Sequence, residues 1–340
     1  MINIAILGFG TIGSGVAEVI EQNQAEIQKI FGGENLHVKY ILDIRDIPGV
    51  VKDIETIIND PDIKIICETM GGKEPAYTYT HLALERGISV CTSNKELVDA
   101  YGVELSAIAR EHHCSYLFEA SVGGGIPLIR TIREACGHEK VSKIAGILNG
   151  TCNYILTNMK DGKDFDAALK EAQEKGYAER NPAADIEGHD TARKIAILAS
   201  LVSGKKISYE QVDCEGITKV TAEDFINAEA YGMSIKLLGV YDAEANTVLV
   251  APHLVPKDNP LYNVNGVFNG VLVRGNMVDD LLFYGRGAGK LPTASAVVSD
   301  VIECIKNPGK FVDNGFVDLE PMYINKAPEK QPGQKFRVLS

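Results

Sequence analysis

From Ile2 to Glu119 short apolar runs alternate with stretches whose apolar residues recur every three or four positions. The runs with strand character are Ile2 to Leu7, Val38 to Ile44, Ile63 to Glu68, Ile88 to Thr92 and Ser115 to Glu119. Between them, Val16, Val19 and Ile20, then Leu97, Val98, Tyr101 and Leu105, keep helical spacing. Continuous apolar strands separated by amphipathic helices bury both faces of a sheet, so this part of the chain predicts a doubly wound parallel sheet.

The alternation changes at Ser121 to Pro127, a glycine cluster ending in proline, where a turn and a domain boundary are expected. Beyond Val141, strand-like pieces (Lys143 to Leu148, Thr247 to Val255, Val267 to Gly275, Leu281 to Tyr284) accompany helical patterns at Asp164 to Lys175 and Gly188 to Ser203. They predict a mixed α+β domain. A late helical pattern, Ala296 to Ile305, is free to pack back on the first domain, and the Pro-, Gly-, Lys- and Gln-rich remainder from Asn307 reads as an extended or flexible tail. The expected boundaries are 1–130 for the first domain, with 293–306 returning to it, 131–292 for the second, and 307–340 for the tail.

Composition narrows the partners. A chain of 340 residues has room for about two cores. A formal net charge of -12 repels phosphate-rich polymers and anionic membranes, so any phosphate has to be gripped locally. No apolar run approaches the roughly 18 to 20 residues that span a bilayer, and Met1 leads directly into a strand, so a cytoplasmic location is expected. Seven scattered cysteines include no C-x-x-C pair and read as small buried hydrophobes in a reducing compartment. The histidines, His112 and His113 included, lack metal-ligand spacing.

Two segments carry chemistry. Gly8-Phe9-Gly10-Thr11-Ile12-Gly13 places G-x-G-x-x-G between the first strand and the first helix, the context in which such a loop binds a dinucleotide. Gly8 permits the tight turn, Gly10 lets the backbone approach a pyrophosphate, and Gly13 lets helix and strand pack closely, while free N–H groups at the helix start bind the anion. The fold expected is therefore a Rossmann-type domain. Asp43 and Arg45 stand at the end of the second strand and pull in opposite directions: a carboxylate suits the ribose hydroxyl of NAD, a guanidinium the extra phosphate of NADP. The choice stays open.

The second segment runs from Gly176 to Lys194 and is dense in charge before the apolar Ile195-Ala196-Ile197-Leu198. Asp190 and Lys194, at helical i,i+4 spacing, share one helix face. A solvated helix start explains this blandly, since acidic residues complement the helix dipole. The functional reading is that Glu179, Asp185 and Asp190 grip an ammonium or orient a lysine, while Lys194 donates a proton to a carbonyl oxygen. A second lysine, Lys95, closes Thr92-Ser93-Asn94-Lys95 at the carboxyl end of a parallel strand, where ligands sit in open α/β sheets, although a surface helix start would look the same.

Taken together, these pieces resemble the homoserine dehydrogenases, from the glycine loop to about Asp300. The most specific elements are Glu68-Thr69-Met70-Gly71-Gly72 with Glu74-Pro75-Ala76, the Thr92 to Lys95 motif, Glu119 to Pro127, Leu148 to Leu156, Gly176 to Lys194, and Gly287-Ala288-Gly289-Lys290-Leu291-Pro292-Thr293-Ala294. The resemblance implies NAD(P)-dependent interconversion of L-aspartate-4-semialdehyde and L-homoserine, by a Rossmann-type domain and a second mixed α+β catalytic and dimerisation domain. It implies that Lys194 is the proton donor and Lys95 a second essential lysine, with Thr151, Tyr177, Glu179, Asp185 and Asp190 in the amino-acid pocket. Thr92, Ser93 and Gly289 join the glycine loop around the cofactor. A monovalent cation, sodium or potassium, falls to the Glu119 carboxylate and the carbonyls of Val122, Gly124 and Ile126, and a homodimer is implied through the second domain's sheet.

Departures from the family pattern are few. Cys152 stands where threonine is commoner, and Arg180 follows the expected glutamate. Many relatives carry a regulatory amino-acid-binding domain; Lys335-Phe336-Arg337-Val338-Leu339 resembles the first strand of one, so the chain is expected to stop short of it. The competing readings are another amino-acid dehydrogenase on the same nucleotide domain and a nucleotide-sensing module that has lost catalysis. The second predicts loss of Lys95 or Lys194, and both are present. A semialdehyde dehydrogenase needs an activated cysteine, and none here has an activating context.

Overall fold

A computed structural model describes residues 1–339 and divides them into two compact units. The first comprises Met1–Arg133 and Ala288–Glu320, the second Glu134–Gly287 with the chain from Pro321 onward.

The first unit holds strands β1 (Ile2–Leu7), β2 (Leu36–Leu42), β3 (Ile63–Glu68), β4 (Ser89–Thr92) and β5 (Tyr116–Leu117), all parallel and ordered β2-β1-β3-β4-β5. Helices α1 (Thr11–Gln22), α2 (Gln24–Ile30), α3 (Ile54–Ile58), α4 (Ala76–Glu85), α5 (Lys95–Glu111) and α6 (Ile129–Glu134) connect them, α6 running into the boundary. The strand order reverses at β1: β2 lies on one side and β3 on the other, which opens a crevice beyond their carboxyl ends. The inner strands β1, β3 and β4 are mostly buried, Ile4, Ile6, Ile65, Cys67 and Cys91 forming one core with Val16, Val19 and Ile20 of α1, while the edge strand β2 is only partly buried.

The second unit is built on a mixed sheet. Strands β6 (Lys143–Ile147), β7 (Asp213–Cys214), β8 (Met233–Asp242), β9 (Thr247–Pro256), β10 (Phe268–Arg274), β11 (Asp280–Arg286) and β12 (Arg337–Val338) run in the order β11-β10-β6-β8-β9-β12, with β7 added to β9. Helices α7 (Gly150–Lys160), α8 (Phe165–Glu174), α9 (Ala183–Ile186), α10 (His189–Ser203) and α11 (Ala222–Ala230) accompany it, α10 packing on β8 and β9. Gly239 of β8 makes that approach possible: a Cβ there would lie 2.9 Å from Cβ of Ile195. Helix α12 (Lys290–Lys306) then belongs to the first unit and packs along α1, where a Cβ on Gly15 would meet the Lys290 carbonyl at 2.9 Å.

Several expectations need correction. Strand β8, ten residues inside the second sheet, is not among the predicted strands; Ser234, Lys236 and Gly239 interrupt its apolar residues, so it shows no single period along its length. Helix α12 starts at Lys290 rather than Ala296; Pro292 is tolerated because the first turn has no N–H partners to lose. Strand β5 is two residues long, and Glu119 to Ser121 form a 3-10 turn instead. Strand β2 ends at Leu42, leaving Asp43 and Arg45 on the following loop.

The tail is also anchored rather than loose. Asn314 and Phe316 are buried in the first unit, Asn314 donating to the Tyr116 carbonyl at 2.7 Å and the Phe316 ring lying 5.0 Å from that of Phe118. Phe336 and Leu339 are buried in the second, and β12 pairs in parallel with β9.

Candidate functional site

In the first unit a cavity of about 630 Å³ opens at the carboxyl ends of β1, β2 and β3. Its wall includes Gly8, Gly10, Asp43, Arg45, Lys52, Thr69 and Met70. Gly8 has φ +85°, a conformation that L side chains rarely adopt, and a Cβ there would also strike the Met70 backbone at 2.9 Å. Gly13 is as constrained: its Cβ would fall 2.0 Å from the Gly8 carbonyl. That carbonyl accepts the Thr69 hydroxyl at 2.7 Å, so the end of β3 holds the glycine turn in shape. Thr11 and Ile12 are the first residues of α1, whose N-terminal N–H groups have no helical partner and present a partial positive charge. Acidic as the chain is, phosphates can be held here by backbone.

Asp43 and Arg45 are joined. The Asp43 carboxylate accepts the Phe9 N–H at 2.7 Å, the Arg45 backbone N–H at 2.9 Å, and the guanidinium through Nε at 2.9 Å and Nη2 at 2.7 Å. The guanidinium, then the two backbone donors, hold this buried carboxyl well below the usual carboxylate range against the opposing cost of burial. Arg45 remains about half exposed and also donates to the Phe9 carbonyl at 2.6 Å. Lys52, which sequence reading missed, caps the carbonyls of Asp43, Ile44 and Arg45 and adds a second cation to the rim. No motif marks it, since its place depends on how the loop after β2 folds.

Thr92, Ser93 and Lys95 are at the neighbouring end of β4, outside that cavity's wall, with Lys95 the first residue of α5. Gly289, φ +117°, is the N-cap of α12.

The second unit gathers most of the charged stretch. Asp190 and Lys194 lie on one face of α10 and are buried, 7% and 9% exposed. Lys194 Nζ donates to Asp190 Oδ2 at 2.8 Å and to the Leu148 carbonyl at 2.9 Å. Asn149 completes the cluster: its amide nitrogen donates to Asp185 at 2.7 Å and to Asp190 at 2.9 Å, while its oxygen accepts Cys152 N–H and caps α7. Asn149 is not among the predicted site residues; an Asn just before a helix signals a cap, and only the fold shows its nitrogen joining two carboxylates.

The Thr151 hydroxyl donates to the Tyr177 carbonyl at 2.6 Å, and the Tyr177 ring packs edge-on against Tyr154, 4.9 Å between centroids. Glu179 is exposed; its backbone carbonyl accepts the Gln173 amide. A buried ion pair feeding an apolar helix is poor economy for stability alone, because desolvation offsets the Coulomb gain. That gathering of buried polar groups makes this cluster the candidate site of the second unit.

Glu119, also buried, turns its carboxylate onto the start of α6, accepting the N–H groups of Leu128 at 2.6 Å, Ile129 at 2.9 Å and Arg130 at 2.7 Å. Burial raises its pKa despite those donors. Asp300 of α12 accepts the Glu119 N–H at 2.9 Å and Arg130 at 2.7 Å, and burial, then the neighbouring Glu119 charge, pushes it up to about 7. Among the described residues the carbonyls of Val122, Gly124 and Ile126 accept no backbone hydrogen bond, and Gly123 and Gly124 have positive φ. One carboxylate with several carbonyls is an all-oxygen set, the donor chemistry of a hard cation.

A glycine turn opening a helix at the switch point of a parallel sheet defines a dinucleotide-binding oxidoreductase, and the comparisons with known proteins specify it. Two family profiles match: "Homoserine dehydrogenase, NAD binding domain" over residues 8–119 and "Homoserine dehydrogenase" over residues 127–302. The homoserine dehydrogenase of Synechocystis is 44% identical over 89% of the chain, which spans 73% of that relative. The Bacillus subtilis enzyme is 39% identical over 98% of the chain, and 80% of the relative is spanned. A crystal structure of the Thiobacillus denitrificans enzyme superposes with a TM-score of 0.87 at 36% identity, covering 99% of this chain and 79% of that one. A hyperthermophilic archaeal homoserine dehydrogenase in complex with NADPH gives 0.77 at 28% identity, covering 90% and 98%. The chain belongs to the homoserine dehydrogenase family. It is an NAD(P)-dependent oxidoreductase interconverting L-aspartate-4-semialdehyde and L-homoserine, and the reading as a nucleotide-sensing module is not favoured.

Proposed function

We propose that Lys194 is the general acid of aldehyde reduction and, in the reverse direction, the base that takes the alcohol proton. The observation that carries this is the setting of its ammonium. Of three N–H donors, one goes to Asp190 and one to the Leu148 carbonyl, which leaves the third for a substrate oxygen. Asp190 keeps the cation in place, and Asn149 keeps Asp190 in place by tying it to Asp185. Reduced nicotinamide supplies the hydride. As negative charge grows on the aldehyde oxygen, Lys194 stabilises it and then transfers its proton. By the resemblance, Lys95 is the second essential lysine, near nicotinamide and substrate. Glu179 and Asp185 hold the substrate ammonium, with Thr151 and Tyr177 completing the amino-acid pocket. The test is Lys194→Ala assayed with homoserine: turnover lost with cofactor binding intact supports the role.

For the cofactor, the reading favours NADP. The Asp43 carboxylate, which would select a ribose hydroxyl, is taken up by Phe9 and Arg45, while Arg45 and Lys52 offer positive charge beside the cavity. The archaeal relative in complex with NADPH is consistent with this. The all-oxygen turn at Glu119, Val122, Gly124 and Ile126 fits sodium or potassium, which would neutralise charge there and brace the turn. Glu119 Oε2 accepts a single backbone N–H and has lone pairs to spare.

A homodimer is proposed through the second sheet. Its edge strand β11 exposes Leu282 and Tyr284, with Met277 and Val278 exposed on the preceding turn, and apolar edges invite pairing. Among the described residues no helix is long and apolar enough to cross a membrane. The seven cysteines are free and all but Cys214 are buried, which suits a reducing, cytoplasmic setting.

A further inference from the structure

We propose that Glu68 is a positioning residue for the reaction, acting through Lys95; the inference rests on the role given to Lys95 above. Glu68 ends β3 and is 0% exposed. A carboxylate is costly to bury and is retained where its acceptors are used.

Both of its oxygens are used, each on a different loop. Oε1 accepts the Met70 N–H at 2.8 Å, on the segment that forms part of the nucleotide cavity wall. Oε2 accepts the Thr92 hydroxyl at 2.6 Å, at the end of β4. The Thr92 oxygen in turn accepts the Asn94 N–H at 2.9 Å. The Asn94 amide nitrogen donates to the Gly72 carbonyl at 2.6 Å, back on the first loop, and its oxygen accepts the Leu97 N–H at 3.1 Å, capping α5. The bonds close a ring: Glu68, Met70 to Gly72, Asn94, Thr92, Glu68. Lys95 is the next residue after Asn94 and the first of α5, so its backbone is fixed by this ring.

The ring needs an acceptor at both ends. An ionised carboxylate accepts from a backbone N–H and a hydroxyl simultaneously; a glutamine of the same shape turns an NH2 towards one of the two donors. Facing an NH2, the Thr92 oxygen can accept with its second lone pair, but its own buried hydrogen then loses the acceptor that Glu68 provides. Glu68→Gln therefore loosens one loop against the other without changing side-chain volume. A small misplacement of a reacting group is enough to depress turnover.

The experiment is a double-mutant cycle: wild type, Glu68→Gln, Lys95→Ala and the double variant, with kcat and KM for homoserine, NADPH affinity by fluorescence, and thermal unfolding. The expected result is a folded Glu68→Gln protein whose kcat falls by about 10- to 100-fold with little change in homoserine KM, and whose penalty shrinks to within about 2-fold when Lys95 is already alanine. Equal penalties in both backgrounds overturn the inference, as does an unchanged kcat in Glu68→Gln where Lys95→Ala is impaired. Full activity in Lys95→Ala alone refutes the role of Lys95 and removes the route proposed here. Should Glu68→Gln fail to fold, Thr92→Val breaks the same ring from the other strand, and the same pattern against Lys95→Ala is expected.

Discussion

At the scale of single residues, the chemistry rests on a few atoms around Lys194. Lys194→Ala should lower kcat about 10²- to 10⁴-fold, the usual worth of a positioned acid, while NADPH binding measured by fluorescence stays near wild type. Asp190→Ala leaves the buried Lys194 ammonium without its counter-charge, so denaturant unfolding should show a loss of about 3–5 kcal/mol together with impaired turnover. Arg45→Ala should raise KM for NADP by about 10-fold or more and leave KM for NAD nearly alone, in line with the worth of a charge-assisted hydrogen bond. An equal effect on both cofactors would contradict the reading of the rim. Lys194 and Asp190 were legible in the sequence because helical spacing alone puts them on one face. Asn149 and Lys52 were not: each acts through a loop whose path depends on the whole unit. The opposition between Asp43 and Arg45 is not decidable from sequence, because only the fold shows that the two side chains bind each other.

At the scale of elements, the helix that carries the site depends on a strand the sequence concealed. Lys236 sits inside β8, 2% exposed, donating to the Val264 carbonyl and to Asn265 at 2.7 Å, and burial, with Lys160 nearby, lowers its pKa to about 7. The strand mixes Ser234, Lys236 and Gly239 with apolar residues and keeps no single period along its length, so pattern alone does not mark it. The linkage has a sign. The unfolded chain keeps the proton up to the ordinary lysine value of 10.5, while the folded protein releases it near 7, so stability rises with pH across that window. Relative to Lys236→Met, the wild type should gain in denaturant midpoint from pH 7 to pH 10; a constant difference would show that the amine keeps its charge when buried. Gly239, on the same strand, admits α10. Gly239→Ala forces its Cβ on Ile195 and should cost about 1–3 kcal/mol in chemical unfolding, with a fall in kcat because α10 holds both Lys194 and Asp190.

At the scale of the whole molecule, the regular alternation of apolar runs and amphipathic stretches made the parallel sheet readable, since the inner strands are mostly buried and the helices between them bury one face. The mixed sheet was harder: its strands come in an order, β11-β10-β6-β8-β9-β12, that no local pattern encodes. The tail illustrates the same limit. Its composition suggests loose chain, yet single apolar anchors, Phe316 in one unit and Phe336 in the other, hold it by contacts far away in sequence. The acidic balance of the chain is also met at this scale: on the proposed reading, backbone N–H groups and the two cations beside the crevice would hold the nucleotide, rather than net charge. The most direct test of the central claim is oxidation of homoserine followed by reduced-nicotinamide absorbance, with NADP and NAD, for the wild type and Lys194→Ala side by side. The account predicts wild-type turnover, faster with NADP, and a variant that still binds cofactor but is all but inactive. A Lys194→Ala enzyme within a few-fold of wild type would contradict it.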